Sequence, residues 1–262
     1  MKFTRGSIVV LLVVSGLSSV VVAEQPSSLK TVNSNKHPFL NGVELSVAGG
    51  VNWLHSKDTH LVISSFETDN NQVHNVANHG GWKVGLGYRP FEQQLNGRPF
   101  LDSLLFEMNL YYSSSALKGV VWQYQLPELE NYRFLAPVSN TRLMFDFKPT
   151  LFTWHTVSPY AIVGVGSSWN KASYSENVIA VDVDRTSALL LGHHTTTHVA
   201  GDFGAGIRIQ LSEKLSVLTE YIYTLLGHAT PANDPANQVN LMSPPTFSLQ
   251  NQCVLFGINL IL

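Results

Sequence analysis

The chain has 262 residues, 44% of them hydrophobic and only 13% charged, about half the charged fraction of an ordinary soluble domain. A mean hydropathy of +0.07 is too low for a bundle of membrane helices, and a net charge of −2 with a pI near 6.5 leaves no basic footprint for nucleic acid. A single cysteine, Cys253, excludes a disulfide framework.

The first segment reads as an address rather than as structure. Lys2 and Arg5 precede an apolar run from Ile8 to Val22, and Val21-Val22-Ala23 supplies the small or apolar residues of a cleavage site. Residues 1–23 are therefore expected to be a signal peptide. A single-pass anchor is the alternative, although the run falls short of the roughly 20 residues of a spanning helix. No cysteine follows it, so a lipid-modified N-terminus is not expected. Residues 24–42, with Pro26, Ser27, Ser28, Asn33, Ser34 and Asn35, read as a flexible periplasmic lead. Without Lys2 and Arg5 the chain keeps 14 Lys+Arg against 18 Asp+Glu, a net of −4.

Residues 43–262 then show eight segments with a period of two, the pattern of strands with two different faces. They run over 43–55, 79–91, 100–114, 140–153, 159–170, 196–211, 215–227 and 246–262. In the first, Val43, Leu45, Val47, Val51 and Trp53 oppose Glu44, Ser46 and Asn52. In the second, Trp82, Val84, Leu86 and Tyr88 oppose Lys83, Gly85, Gly87 and Arg89. In the third, Leu104, Phe106, Met108, Leu110 and Tyr112 oppose Glu107, Asn109 and Tyr111. The fourth sets Leu143, Phe145, Phe147 and Leu151 against Arg142, Asp146 and Lys148. The sixth sets Val199, Phe203, Ile207 and Ile209 against His198, Asp202 and Arg208, and the seventh sets Val217, Tyr221 and Tyr223 against Ser216, Glu220 and Thr224.

The connections alternate as well. Residues 56–78, 115–139, 171–195 and 228–245 are long, whereas 92–99, 154–158 and 212–214 are short. A soluble sandwich has no reason to place every long connection at one end. An outer-membrane barrel does, with short periplasmic turns, long extracellular loops and an even strand count. A soluble lipocalin-like barrel is the alternative reading of the face pattern. Aromatics near strand ends (Trp53, Tyr88, Phe91, Tyr112, Trp169, Tyr223) suit interfacial girdles. The fold expected is all-β, an eight-stranded antiparallel up-and-down transmembrane β-barrel in the outer membrane, with lipid on its apolar face.

Two further features bring the chain close to a known group. The fifth strand reads Pro159-Tyr160-Ala161-Ile162-Val163-Gly164-Val165-Gly166. The last places Val254, Phe256, Ile258, Leu260 and Leu262 at every second position. With the strand parity, these resemble the eight-stranded outer-membrane barrel superfamily, which includes the membrane domain of outer membrane protein A and the opacity-type surface antigens. The resemblance covers almost all of residues 40–262. It implies recognition of the terminal strand by the barrel assembly machinery. Such strands usually end in Phe, and Leu262 departs from that pattern. No peptidoglycan-binding domain is expected after the barrel.

Ten charges fall on the inward parity: Glu44, Lys83, Arg89, Glu107, Arg142, Asp146, Lys148, Asp202, Arg208 and Glu220. Five of each sign in a poorly solvated lumen must be paired or wet. A salt-bridged plug is the expected role, and a gated pore for small ions is the alternative. Trp122, Tyr124, Leu126 and Tyr132 form an aromatic set in the second long connection. They are either anchors for a partner or the ends of strands that extend above the membrane. His193-His194-x-x-x-His198 resembles metal-ligand spacing without a carboxylate framework, and reads as a solvated cluster, a surface metal site or a protonation switch. Cys253 reads as a small interior residue. The four long connections hold five Lys+Arg and nine Asp+Glu, which makes the outward tips acidic.

Catalysis by a barrel that modifies lipid A needs a nucleophile, a histidine and an orienting acid. No His-x-Ser tripeptide occurs, and His55-Ser56 points to opposite faces if extended. The chain is expected to be a monomeric surface protein without cofactor or enzymatic activity, of surface antigen or adhesin type, or with a structural envelope role. A host or matrix ligand would meet its loops. A lipid A-modifying enzyme and a small pore are the alternatives.

Overall fold

The computed structural model describes residues 42–91, 101–179, 188–233 and 241–262. The expected signal peptide and nearly all of the expected lead, through residue 41, lie outside the described residues. Among those described, nine antiparallel strands form one sheet. They are β1 (Val43–Ser56), β2 (Thr59–Val62), β3 (Thr68–Phe91), β4 (Ser103–Trp122), β5 (Glu130–Thr150), β6 (Val157–Val178), β7 (Leu190–Gln210), β8 (Leu215–Ala229) and β9 (Phe247–Ile261). Eight of them close a ring in which β1 pairs with both β3 and β9. The short β2 adds to the outer end of β3. Closure matters because hydrocarbon offers no partner to a free backbone group.

The lower part of every wall follows the expected parity. Leu45, Val47, Phe106, Met108, Phe145, Val163, Phe203, Tyr221, Phe256 and Ile258 are exposed on the outside, as lipid-facing residues must be. Glu44, Ser46, Lys83, Glu107, Asn109, Arg142, Asp146, Asp202 and Glu220 are buried inside. Small residues on the inner parity make room for them. A Cβ built on Gly85 would lie 2.1 Å from Asn109 Oδ1 and 2.6 Å from Glu107 Oε1, so a larger residue would displace the polar lumen.

The upper part departs from expectation. Much of the 56–78, 115–139 and 171–195 connections is strand, because β3, β4, β5, β6 and β7 run far above the girdle. Their alternation continues but its phase is exchanged. In β4 the outward Tyr112 gives way, after Ser113, Ser114 and Ser115, to the inward Leu117 and Val121. In β1 the exchange takes one step, from outward Trp53 to inward Leu54. Leu61, Leu117, Val121, Tyr132, Phe134, Tyr174, Leu191, Leu226, Phe247 and Leu249 pack as one buried apolar cluster inside this outer section. Phe134 stacks on Tyr174 at 5.6 Å and lies 6.1 Å from Phe247. The outer section is therefore a soluble-type barrel, apolar inside and polar outside, built onto a membrane-type one. The reason is the solvent: water replaces lipid above the girdle, and apolar side chains turn away from it.

Side chains and short bridges hold the wall together where strand pairing stops. Above the Gly201↔Leu225 pair the β7–β8 ladder stops. There Asn170 Nδ2 donates to the carbonyl oxygens of Leu226 (2.8 Å) and His228 (3.0 Å), and the Thr196 hydroxyl donates to His228 O (2.7 Å). The Val62 N–H donates to Ser243 O at 3.1 Å, and Leu241 joins the apolar cluster from the last connection. Gly85→Ala is expected to destabilise the barrel by about 1–3 kcal/mol through overpacking. Gly201→Ala on the outer wall, where nothing lies within 3.9 Å of a built Cβ, is expected to be neutral. The temperature at which the compact, fast-migrating gel form is lost measures both.

Candidate functional site

The ten inward charges form three tiers that rise through the membrane section. At the periplasmic end Glu44 accepts from Arg89 Nε at 2.7 Å and from Asn259 Nδ2 at 2.6 Å, and lies 3.5 Å from Arg208. In the middle, two cations and two anions alternate. Lys83 Nζ donates to Glu220 at 2.7 Å and lies 3.6 Å from Glu107. Lys148 Nζ donates to Glu220 at 2.6 Å and also bonds Glu107. Ser46, Asn109 and Tyr160 supply further hydrogen bonds to these carboxylates. The upper tier holds Arg142, 3.9 Å from Asp202 and 4.2 Å above the Tyr111 ring. Asp146 accepts from Tyr111 OH (2.9 Å) and Asn109 Nδ2 (2.6 Å).

The sequence supplies these contacts through parity alone. Neighbouring strands bring inward residues side by side, as in Glu107↔Asp146 and Gly164↔Asp202. Cys253 is buried among them on β9. A cavity of only about 10 Å3 remains beside Tyr111, Arg142 and Cys253. Chemically the arrangement is a charge-balanced network of buried ion pairs and hydrogen bonds. Breaking a buried pair leaves an uncompensated charge, at a cost of roughly 3–5 kcal/mol. Lys148→Met is expected to lower stability by about that amount in urea titrations of the lipid-embedded barrel. The double variant Lys148→Met/Glu220→Leu keeps the balance and is expected to recover most of it.

The outer end holds the second group of candidates. Trp122 ends β4, and Tyr124 and Leu126 project from the turn that follows, 52% and 48% exposed. Tyr124 and Gln125 have φ of 52° and 62°, a strained left-handed backbone for non-glycine residues. The turn is fixed by Asp69, whose carboxylate accepts the Tyr124 N–H at 2.9 Å. Tyr132 does not belong with them. It is inward on β5, 2% exposed within the apolar cluster, so it cannot meet a partner from outside. The aromatic set thus divides: Tyr132 is core, whereas Tyr124 and Leu126 are surface.

The histidine set also separates. His193 lines an outer-wall groove with His79 and Lys171. His194 lies on the other parity, its Nδ1 3.1 Å from Thr230 O. His198 meets His228 edge to face at 5.5 Å. All three histidines are on a strand, where four residues span about 13 Å and neighbours face opposite ways. Among the described residues no three His, Cys, Asp or Glu side chains converge as metal ligands.

Two carboxylates of the long connections also turn inward. Tyr174 OH donates to Glu176 at 2.7 Å, and the Leu189 N–H donates to its other oxygen at 3.2 Å. Burial pushes the Glu176 carboxyl up to about 7 and that of Asp69 up to about 6, with Glu67 adding repulsion to both. Sequence reasoning counted both as solvated tip charges. The parity shared by Glu176, Tyr174 and Ala172 was the available signal.

A carboxyl raised in the folded state favours folding when protonated. The outer section therefore gains stability as pH falls from about 7 and loses it as pH rises through 7. Glu176→Gln is expected to remove roughly 3 kcal/mol of that dependence, read from urea midpoints between pH 5 and pH 8.

The outer membrane protein beta-barrel domain family matches residues 41–243. Among solved structures the chain is similar to Neisserial surface protein A, with 15% identity, 84% of this chain and 97% of that chain covered, and a TM-score of 0.38. It is similar to OprG from Pseudomonas aeruginosa at 13% identity, with 85% and 98% covered and a TM-score of 0.42. Ail of Yersinia pestis, solved with the heparin analogue sucrose octasulfate, shares 10% identity, with 84% and 98% covered and a TM-score of 0.36. No curated protein matches the chain significantly. The chain belongs to the outer membrane protein β-barrel domain family and resides, embedded in lipid, in the outer membrane.

Proposed function

We propose that this protein is a surface protein of antigen or adhesin type, a filled barrel that presents a rigid outer tip to an external partner. The observation that carries the reading is the β4–β5 turn. Tyr124 and Leu126 are exposed there on a backbone that Asp69 pins. Aromatic and aliphatic side chains on a preorganised turn bind with little loss of conformational freedom. The plugged lumen favours display over conduction, and no catalytic step is part of the reading. The barrel is read as a monomer, delivered by the assembly machinery through the alternating β9. A host-cell or matrix surface is the partner class that fits.

Cells displaying the protein are expected to bind immobilised matrix glycoproteins or cultured host cells. Tyr124→Ala/Leu126→Ala is expected to reduce that binding at least tenfold while the barrel keeps its gel mobility. Full binding by the double variant would remove the tip from the account.

A further inference from the structure

The outer wall of β3 to β7 carries a feature that the tip does not use. Trp82, Tyr112 and Trp169 end the lipid-facing surface there, each more than a third exposed, and Trp82 stacks on Tyr112 at 5.9 Å. They lie on one line of paired residues, Trp82↔Tyr112↔Thr141↔Trp169. Such aromatics sit at the level of lipid headgroups.

Two residues further up each strand the wall changes character. Ser114, Ser139, Lys171 and Thr195 form the next outward row of paired residues. Here lies a groove of about 410 Å3, floored by Ser114, Ala116, Pro137 and Ser139 and rimmed by His79, Lys171 and His193. No carboxylate among the described residues lines it. A second groove of about 520 Å3 holds His74, Lys118 and Arg133, with Glu130 the one acid among its described lining residues. Lys118, Arg133 and Lys171 make no ion pair among the described residues. Two acids of this section face inward instead: Asp69 is buried, and Glu176 accepts from the inward Tyr174. Cations without an ion pair among the described residues therefore stand above an aromatic girdle, over a floor of small and hydroxyl-bearing side chains.

We propose that this wall binds the phosphorylated sugar headgroup of an outer-leaflet glycolipid. Lys171, with His79 and His193, holds a phosphate in the lower groove, and Lys118 and Arg133 reach a second anionic group above. Charge-assisted hydrogen bonds to phosphate are short and strong. Basic pockets at the membrane surface recognise anionic headgroups in this way. The aromatic row beneath places the acyl chains against Trp82, Tyr112 and Trp169. A membrane lipid therefore fits the whole surface, where a free phosphate would fit only its upper half.

The test uses the full barrel in phosphatidylcholine vesicles that contain either phosphorylated or dephosphorylated lipid A with a fluorescent acyl label. Energy transfer from the girdle tryptophans reports lipid at the wall. Phosphorylated lipid A is expected to give several-fold more transfer than the dephosphorylated form, a comparison that needs no variant. Lys118→Gln/Arg133→Gln/Lys171→Gln is expected to reduce the excess at least fivefold, while Lys57→Gln, outside both grooves, leaves it intact. Equal transfer from the two lipids would overturn the proposal. So would an undiminished excess in a triple variant with normal gel mobility, or abolition of the excess by millimolar inorganic phosphate.

Discussion

Lipid accepts no unpaired backbone group, and the rest of this structure depends on that constraint. It requires the sheet to close. Eight strands close into a ring so narrow that side chains nearly fill its interior. A filled interior at membrane depth then has to satisfy its own polar atoms. The three tiers from Glu44 to Asp202 meet part of that demand with five charges of each sign and a surround of Ser, Asn and Tyr, while Arg142 Nε and both Asp202 carboxylate oxygens find no hydrogen-bond partner among the described residues. Glycines such as Gly85 are where they are because those side chains occupy the space a Cβ would take.

Above the girdle the same ring stands in water, and the same period-two pattern exchanges its faces. The apolar cluster around Phe134, Tyr174 and Phe247 then becomes the core. That core lets the barrel project a stiff wall and a fixed tip beyond the membrane rather than loose loops. The tip turn gains its geometry from Asp69 and the wall its basic character from the inward turn of Glu176. The two proposed contacts, a partner at the tip and a phosphoglycolipid at the wall, are both consequences of one phase change along the strands.

The membrane section was legible in the sequence because lipid forbids charge on one parity. Once Leu104 to Tyr112 mark the outside, Glu107 and its neighbours have only one place to go. The outer section was hidden for the complementary reason. Its strands alternate just as well, but with apolar residues inward, so following the apolar face past Tyr112 leads to three serines and then an apparent loop. Tyr132 was grouped with Tyr124 because sequence proximity carries no sign of direction until the phase is known. Asp69 and Glu176 were counted as tip charges for the same reason. The histidine spacing would bring ligands together on a helix, where residues four apart are neighbours, whereas here it lies on β7.

The exchange of faces is the central claim, and a residue-by-residue scan of β4 tests it most directly. Single spin-labelled cysteines from residue 104 to residue 122, in a Cys253→Ser background, would report contact with lipid-soluble oxygen and with a water-soluble relaxant. The account predicts oxygen contact at even positions through Tyr112. It predicts relaxant contact at the even position Lys118, and shielding from both agents at the odd positions Leu117 and Val121. Oxygen contact at even positions throughout, or free access of the relaxant to Leu117 and Val121, would contradict it.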